Sequence, residues 1–323
     1  MPNAATSRRI EEIASAVMYE GYILYPYRAS AVKNRQRWNF GVLYPRAYSE
    51  LQGGTDLWTM QTECLVKAIN AAATLDVRVR FLQLMTRSID GQASETWQEG
   101  AERDVSLRDL HLREIVRGPM RQNFVFPAGS DRDGTIERQR EQIEGAIEVE
   151  SEPLDEKIFR FRVQVFNTTS LGGTDCLSRE HALMRSLASA HTILEIRGGE
   201  FISLLDPPDE YRELPGECKN VGTWPVLVGE PGQHDTIVSA PIILYDYPQI
   251  APESAEALFD GTEIDEILTL RIMALSDEEK LEMKQVDERA RQILERTESL
   301  TAEQLMKMHG SLREIRKHEP ETP

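Results

Sequence analysis

The chain has few cysteines, and none is spaced for a cofactor. Its 323 residues include three, Cys64, Cys176 and Cys218, which lie far apart and never form a Cys-x-x-Cys pair. This spacing excludes a disulfide framework and the usual iron–sulfur cradle, so we interpret the three as free, buried thiols. A cluster of Cys176 with His181 or His191 is a weaker alternative. We therefore expect no metal and no cofactor.

Long apolar runs and excess positive charge are also absent. The apolar stretches are short, such as residues 241–244, whereas a membrane span needs about 18 residues, so we expect no span. The formal net charge is −17, and a phosphate-binding surface needs clustered positive charge, so we expect no nucleic-acid partner. Glu11 and Glu12 follow Arg8 and Arg9, where an export signal would be apolar. We expect a cytoplasmic protein.

The sequence contains no recognisable catalytic motif. There is no P-loop ending and no Gly-x-Ser-x-Gly elbow. His181 and His191 are ten residues apart, too far for the two ligands of a zinc helix. The acidic region 246–265 could supply oxygen ligands to a divalent cation, but its spacing fits no EF-hand, and a solvated face is the simpler interpretation.

A repeated tetrapeptide is the most informative feature that is present. Gly-Gly-Thr-Asp opens both segment 53–85 and segment 172–205, and strand-like aromatic runs precede them at 38–44 and 159–166. The two segments agree in length to within about one residue, so we predict an internal duplication. Because a carboxylate at a helix start would repel phosphate, we interpret the tetrapeptides as turns and caps rather than anion sites.

The pattern predicts an α+β fold that is rich in mostly antiparallel sheets, in two pseudo-repeated halves, with a C-terminal helical tail. The predicted divisions are a first half (1–127), a polar connector (128–156), a second half (157–275) and the tail (276–323).

Local patterns predict individual elements within these divisions. Two Ser/Thr-x-x-Glu/Gln capping boxes, Ser276 with Glu279 and Thr301 with Gln304, predict two helices in the tail. Residues 58–73 fit either a strand or a helix. Further predictions are helices at 10–20, from a cap at Asp175 or Ser178 to about residue 190, and at 264–272. Strands are predicted at 22–25, 38–44, 75–84, 157–166, 226–228 and 242–245, and a hairpin around Gly198 and Gly199.

Five segments carry a resemblance to a known family: 22–28, 38–45, 60–65, 239–248 and 258–271. With them, the chain resembles a bacterial family of unassigned role associated with gene clusters of nickel–iron hydrogenases. The resemblance covers most of residues 10–300. It implies an accessory or assembly protein whose partner is a hydrogenase subunit or a maturation protein.

Two sets of residues are candidates for a partner-binding surface. Arginines and aromatic residues supply interface hot spots, and an N-terminal basic stretch interleaves both types, while an acidic segment lies near residue 260. A solvated strand edge is the alternative interpretation of the basic stretch. The narrow apolar stripe of the tail also allows self-association. The candidates are Tyr25, Arg28, Lys33, Arg35, Arg37, Trp38, Asp260 and Glu263.

An enzyme with a small-molecule or metal site in a cleft between the two halves is the alternative function, because junctions between domains favour ligand sites. Its candidate residues are Glu63, His181, Asp246 and Glu253. Since no catalytic residue can be nominated, we favour a binding protein over an enzyme.

Overall fold

The computed structural model describes residues 4–20, 38–70, 72–89, 98–171, 173, 178–249, 265–286 and 288–301. The chain divides into two compact units. The first contains residues 1–22 and 36–249, and the second contains residues 23–35 and 250–323. The predicted α+β class, with mostly antiparallel sheets and C-terminal helices, is confirmed.

The helices are α1 (Ala4–Tyr19), α2 (Arg46–Leu51), α3 (Leu112–Ile115), α4 (Arg179–Met184), α5 (Asp265–Met273), α6 (Asp277–Val286) and α7 (Glu288–Ser299). The strands are β1 (Thr59–Ala68), β2 (Thr74–Ile89), β3 (Gln98–His111), β4 (Met120–Phe126), β5 (Gly129–Asp133), β6 (Ile136–Arg140), β7 (Ile143–Pro153), β8 (Ile158–Asn167), β9 (Leu187–Arg197), β10 (Gly199–Ile202), β11 (Trp224–Leu227) and β12 (Thr236–Ala240). Two short 3-10 helices, Asp209–Tyr211 and Leu214–Glu217, lie between β10 and β11.

The strands of the first unit form two sheets that pack face to face. One has the order β10-β1-β8-β7-β4. The other has seven strands, in which β11-β12-β9-β2-β6-β5 form the path and β3 pairs with the second edge of β2. Every pairing between these strands is antiparallel. The chain passes from one sheet to the other seven times, between β1 and β2, β3 and β4, β4 and β5, β6 and β7, β8 and β9, β9 and β10, and β10 and β11.

Alternation along the strands builds the core between the sheets. Successive side chains of a strand point to opposite faces, so Cys64 and Val66 of β1 join Val77, Val79 and Phe81 of β2 in one buried cluster. Residues 58–73, which fit either a helix or a strand, therefore contain strand β1. Cys64 is a free, buried thiol, and burial raises its pKa well above the usual value.

Helix α1 covers the outer face of the seven-stranded sheet. Ile10, Ala14 and Val17 recur at the three-to-four-residue spacing of one helix face and are buried. They pack in one cluster with side chains of β9, β11 and β12 and of the residue that directly follows β11. These are Ile193, Val226, Val238, Ala240 and Val228. The prediction of a helix at 10–20 is confirmed, although the helix begins earlier.

The second unit contains three helices among its described residues. Ser276 and Glu279 form the predicted capping box, with Glu279 N donating to Ser276 Oγ at 3.2 Å and Ser276 N donating to Glu279 Oε2 at 2.9 Å. Lys280 Nζ lies 3.2 Å from Glu298 Oε1, whereas one continuous helix would separate these residues by about 27 Å. Helices α6 and α7 are therefore antiparallel neighbours. No helix in the described ranges is long and apolar enough to cross a membrane.

The self-association predicted for the tail stays a prediction. Ile267, Leu270 and Met273 of α5 and Leu281 of α6 expose 40–57% of their surface, which leaves apolar area on these helices. The second capping box extends beyond residue 301, outside the described residues.

Four local predictions are wrong. Residues 242–245 form no strand. Residues 38–44 form no strand and make only an isolated bridge between Leu43 and Leu187. The helix that Ser178 caps ends at Met184, and β9 follows at Leu187. The strands on either side of Gly198 do not form a hairpin, since β9 pairs with β2 and β12 while β10 pairs with β1 in the other sheet.

The structure does not confirm the duplication. Segment 53–85 runs from β1 of the five-stranded sheet to β2 of the seven-stranded sheet, whereas the second segment contains α4 and then runs from the seven-stranded to the five-stranded sheet. Residues 128–156, which we interpreted as a connector, contribute β5, β6 and β7 to both sheets.

Candidate functional site

The outer face of the five-stranded sheet carries a band of charged side chains. Helix α1 covers the outer face of the seven-stranded sheet, whereas the outer face of the five-stranded sheet contains a groove of about 730 Å³. The band consists of side chains at alternate positions of β1, β7 and β8, together with one residue of β4 and one residue of the 3-10 helix Leu214–Glu217. We call it the charged ladder, and it comprises Gln61, Glu63, Arg121, Glu148, Glu150, Glu152, Arg160, Arg162, Gln164 and Glu217.

The central row of the ladder crosses three strands. Glu63 of β1, Arg162 of β8 and Glu150 of β7 are directly opposite one another in the strand register. Arg162 forms an ion pair with Glu150, and its Nε lies 3.8 Å from Glu63 Oε1. That Nε atom is buried and has no hydrogen-bond partner. The row therefore holds one guanidinium between two carboxylates.

A second row lies two residues further along the strands. Arg160 donates to Glu152 Oε2 at 2.5 Å and to Glu217 Oε2 at 3.3 Å. The hydrogen bond to Glu152 is the main cause of the raised pKa of Arg160. Opposite charges at facing positions of neighbouring strands attract each other, so this register fixes the alternation of sign across the face.

At the other end of the ladder, arginine side chains stack on aromatic rings. Arg121 Nη1 lies 3.2 Å from Glu148 Oε2, and its guanidinium stacks over the ring of Phe166 at 5.1 Å. The ring of Phe166 lies 5.7 Å from that of Trp58, and Arg46 lies over Trp58 at 4.8 Å. Arginine stacked on an aromatic ring is a stabilising cation–π contact. Charged pairs and arginine–aromatic stacks thus form one continuous surface.

Glu63, a predicted cleft residue, anchors the loop that forms one wall of the groove. Its carboxylate accepts hydrogen bonds from Lys219 N at 2.8 Å and from Gln61 Nε2 at 3.3 Å. Its own amide donates to Asn220 Oδ1 at 2.8 Å. Glu63 is only 7% exposed. We interpret it as a structural carboxylate that ties residues 218–221 to β1.

Cys218 in the same loop is a protonated thiol. Burial, with the nearby Glu63 carboxylate as the next cause, raises its pKa to about 11. Because the thiolate is the reactive form of cysteine, Cys218 is not an activated nucleophile at neutral pH. Within the ranges that the structure describes, no group of three or more His, Cys, Asp or Glu side chains is placed to hold a metal ion.

Most of the predicted partner-binding residues lie outside the described part of the chain. These are Tyr25, Arg28, Lys33, Arg35, Arg37, Asp260 and Glu263. Trp38 is described, and it is 6% exposed, with its Nε1 donating to Gln98 Oε1 at 3.0 Å. Its side chain is a buried packing element rather than an exposed contact.

The other cleft candidates do not join Glu63. Asp246 accepts from Ser203 Oγ at 2.5 Å and from Leu227 N at 2.8 Å, so it holds the chain beside β10 and β11. His181 is exposed on α4, where its amide donates to the Ser178 cap. Neither residue lines the groove that contains Glu63. Glu253 lies outside the described residues.

Sequence reasoning missed the charged ladder, although a signal was present. Glu148, Glu150 and Glu152 occupy alternate positions of one strand, and Arg160 and Arg162 occupy alternate positions of the next. Matching opposite signs at the same period in two consecutive strands would have indicated facing ion pairs.

Comparison with known proteins places the chain in no family. No protein-family model matches the sequence, and no curated protein matches it.

Proposed function

We propose that this chain is a non-enzymatic accessory or assembly protein that binds a partner protein through the charged ladder. The observation that carries the proposal is the pairing of charges in the ladder, in which Arg160 and Arg162 each lie between two carboxylates on the sheet face that contains the groove. Alternating charges at fixed positions favour one partner and one register, since mismatched like charges are costly.

The end of the ladder supplies the affinity in this proposal. Interface hot spots are enriched in tryptophan and arginine and cluster in well-packed parts of an interface. Arg46, Trp58, Phe166 and Arg121 form such a stack next to the charged rows. A partner with complementary charges and an apolar contact would cover both parts of the surface.

The proposed partner is a hydrogenase subunit or a maturation protein of a nickel–iron hydrogenase, in the cytoplasm. This identity rests on the resemblance of segments such as 38–45 and 239–248. The charged ladder is independent of that resemblance, so the binding surface and the identity of the partner can be tested separately.

The test is affinity purification of the full chain from its native host with its neighbouring genes expressed. Arg121→Glu reverses an exposed charge of the ladder, whose side chain is 44% exposed, while leaving the core intact. Arg132→Glu is the matched control, because Arg132 is 68% exposed and lies on β5 of the other sheet. We expect the parent and the control to co-purify a hydrogenase subunit or maturation protein, and Arg121→Glu to lose most of it.

Two outcomes would contradict the proposal in different ways. If Arg121→Glu and Arg132→Glu retain the partner equally, the charged ladder is not the binding surface. If the parent repeatedly purifies alone under mild conditions, the protein is not a partner-binding factor of this system.

A further inference from the structure

The outer edge of β4, the last strand of the five-stranded sheet, has peptide groups that point away from its neighbour β7. β4 pairs only with β7. The carbonyl of Glu144 in β7 accepts from Thr168 N at 2.9 Å, and its amide donates to Thr169 Oγ1 at 2.9 Å, so the peptide groups of Glu144 face the β8 side. Successive residues of a strand point their peptide groups to opposite edges. Gly145 therefore faces β4, where Phe124 lies opposite it.

The same alternation fixes which residues of β4 have open backbone groups. Phe124 points its N–H and C=O at β7, so Arg121, Asn123 and Val125 point theirs at the other edge. Within the ranges that the structure describes, the backbone N–H and C=O groups of these three residues form no hydrogen bond with another protein atom. A row of unpaired N–H and C=O groups is a template for pairing with another strand.

The other described sheet edges carry features that discourage such pairing. β11 contains Pro225, β10 has only four residues, and β3 is rich in glutamate, aspartate and arginine. β5 carries Asp131, Arg132 and Asp133. Prolines, short lengths and charges at an edge hinder association between sheets. β4 has seven residues in continuous register, contains no proline and has Arg121 as its only charged residue, so it is the edge best suited to accept a strand.

We propose that β4 pairs with β4 of a second copy of this chain, antiparallel and about a two-fold axis that passes through the sheet at Asn123. In this register Asn123 faces Asn123 of the second copy, and Arg121 of each copy faces Val125 of the other. These residues have the open peptide groups, so each facing pair exchanges two backbone hydrogen bonds. A two-fold pairing of identical strands closes the assembly at a dimer and joins the two five-stranded sheets into one.

The charges of this register favour a second copy as the occupant. The two-fold axis keeps Arg121, the only charged residue of β4, away from its counterpart. Arg121 faces Val125 of the second copy, and Glu144 lies opposite Val125 in β7 of that copy. Across the joined outer face the order is therefore Glu148, Arg121, Val125 and Glu144. Each Arg121 comes to lie between two carboxylates, as the other arginines of the charged ladder do.

The same register covers apolar side chains that β4 leaves exposed. Met120 is 40% exposed and lies on the same face of β4 as Phe124 and Phe126, which pack in the core. The two-fold axis places Met120 opposite Phe126 of the second copy, where a thioether–aromatic contact is favourable. Val125 is 58% exposed and comes to lie against the stem of Arg121 on the outer face. Dimerisation therefore buries apolar surface on both faces of the sheet.

Sedimentation equilibrium of the full chain tests the proposal, since a dimer has twice the chain mass of 36.7 kDa. Asn123→Pro removes an N–H that points away from β7 and therefore spares the pairing of β4 with β7. Asn123→Ala is the matched control, because it keeps that N–H. We expect the parent and Asn123→Ala to dimerise below about 100 μM, and Asn123→Pro to dimerise at least about tenfold more weakly. A parent that is monomeric at that concentration, or parental dimerisation of Asn123→Pro, would overturn the proposal.

A charge pair at the same position tests whether residue 123 faces itself, and it decides alone if Asn123→Pro does not fold. Asn123→Asp and Asn123→Lys each place two like charges opposite each other, whereas an equimolar mixture of the two variants pairs opposite charges. We expect each variant alone to dimerise at least about threefold more weakly than the mixture. Equal dimerisation of the mixture and of the single variants would contradict the self-pairing.

A strand of the partner protein is the competing occupant of this edge. Asn123 lies outside the charged ladder, so its variants separate this inference from the partner binding proposed above. If the parent is monomeric and Asn123→Pro loses the co-purifying protein, the edge binds a strand of that protein and the proposed dimer is wrong. If Asn123→Pro keeps that protein but no longer dimerises, both the self-pairing and a separate partner surface are supported.

Discussion

The two outer faces of the sandwich differ in how they meet solvent. On the seven-stranded sheet, Ile193 and Val238 pack beneath α1 in an apolar cluster. On the five-stranded sheet, the corresponding outward positions of β7 and β8 carry glutamates and arginines, and no α-helix in the described part of the first unit covers them. Both sheets share one core, so the core does not explain why one outer face is apolar and the other is charged. The residues at the outward, alternate positions of each strand determine this difference.

Polar residues beneath α1 follow a different rule from those of the charged ladder. Arg80 is 7% exposed, and it donates to Glu11 of α1 at 3.2 Å and to Glu102 of β3 at 3.2 Å. Tyr19 donates to Glu102 at 2.7 Å. On this face the charges tie the helix to the sheet. On the other face the ion pairs join only strands and one loop, and they leave a groove.

The largest expected effect concerns the apolar contact under α1. Ile193 is 2% exposed, and Ile193→Ala should lower the free energy of unfolding by about 2–5 kcal/mol, because it removes buried methylene groups and leaves a cavity. Ile69→Ala is the matched control, since Ile69 is 64% exposed, and it should change stability by less than about 0.5 kcal/mol. Urea denaturation of both variants measures the difference. Equal stabilities would show that α1 does not cover this face in solution.

A second test concerns a buried histidine on β9, the strand that α1 covers. Burial, assisted by the charges of Arg80 and Arg78, lowers the pKa of His191 to about 4, and its Nδ1 lies 3.0 Å from the carbonyl of Ser189. In the unfolded chain the imidazole titrates near about 6.5. The unfolded state therefore binds more protons between these values, so this contribution to stability is complete above pH ~6.5 and is lost as pH falls towards ~4.

We expect His191→Asn to flatten the decrease in stability between pH ~6.5 and ~4, a window in which the parent loses roughly 3 kcal/mol from this residue. Melting temperatures across that range measure the slope, and Ile69→Ala, which adds or removes no titrating group, should keep the parental slope. An unchanged slope in His191→Asn would mean that the imidazole is accessible to protons in the folded state.

Much of the fold could be predicted from the sequence where one pattern dominated. The alternation of residues 157–166 predicted β8, and the capping box at Ser276 predicted the start of α6, because these signals depend only on neighbouring residues. Residues 38–44 have the same aromatic alternation, yet Gly41 and Trp38 adopt positive φ values and break the strand. The alternation of neighbouring residues does not reveal at which positions the tertiary structure imposes a positive φ.

The candidate surfaces were harder to predict because their residues come from distant parts of the chain. Glu63 was selected as a cleft residue, but its partners, Lys219 and Asn220, are more than 150 positions away, and only the fold shows that it anchors a loop. Asp56 was interpreted as a cap within the repeated tetrapeptide. The structure instead places it in a pocket with Arg179. Neither contact follows from local spacing.

The smallest expected effect on stability concerns two carboxylates, the buried Glu63 of β1 and the exposed Glu210 of the segment between β10 and β11. Glu63→Ala should lower the free energy of unfolding by about 1–3 kcal/mol, because it removes the acceptor of the Lys219 amide and one carboxylate next to Arg162. Glu210→Ala is the control, since Glu210 is 62% exposed and contacts Lys67 at 3.6 Å, and surface pairs contribute little. Hydrogen exchange at residues 218–221 should accelerate in Glu63→Ala and stay parental in the control. Parental exchange in Glu63→Ala would show that the loop is held without this carboxylate, which would return Glu63 to the residues available for a partner.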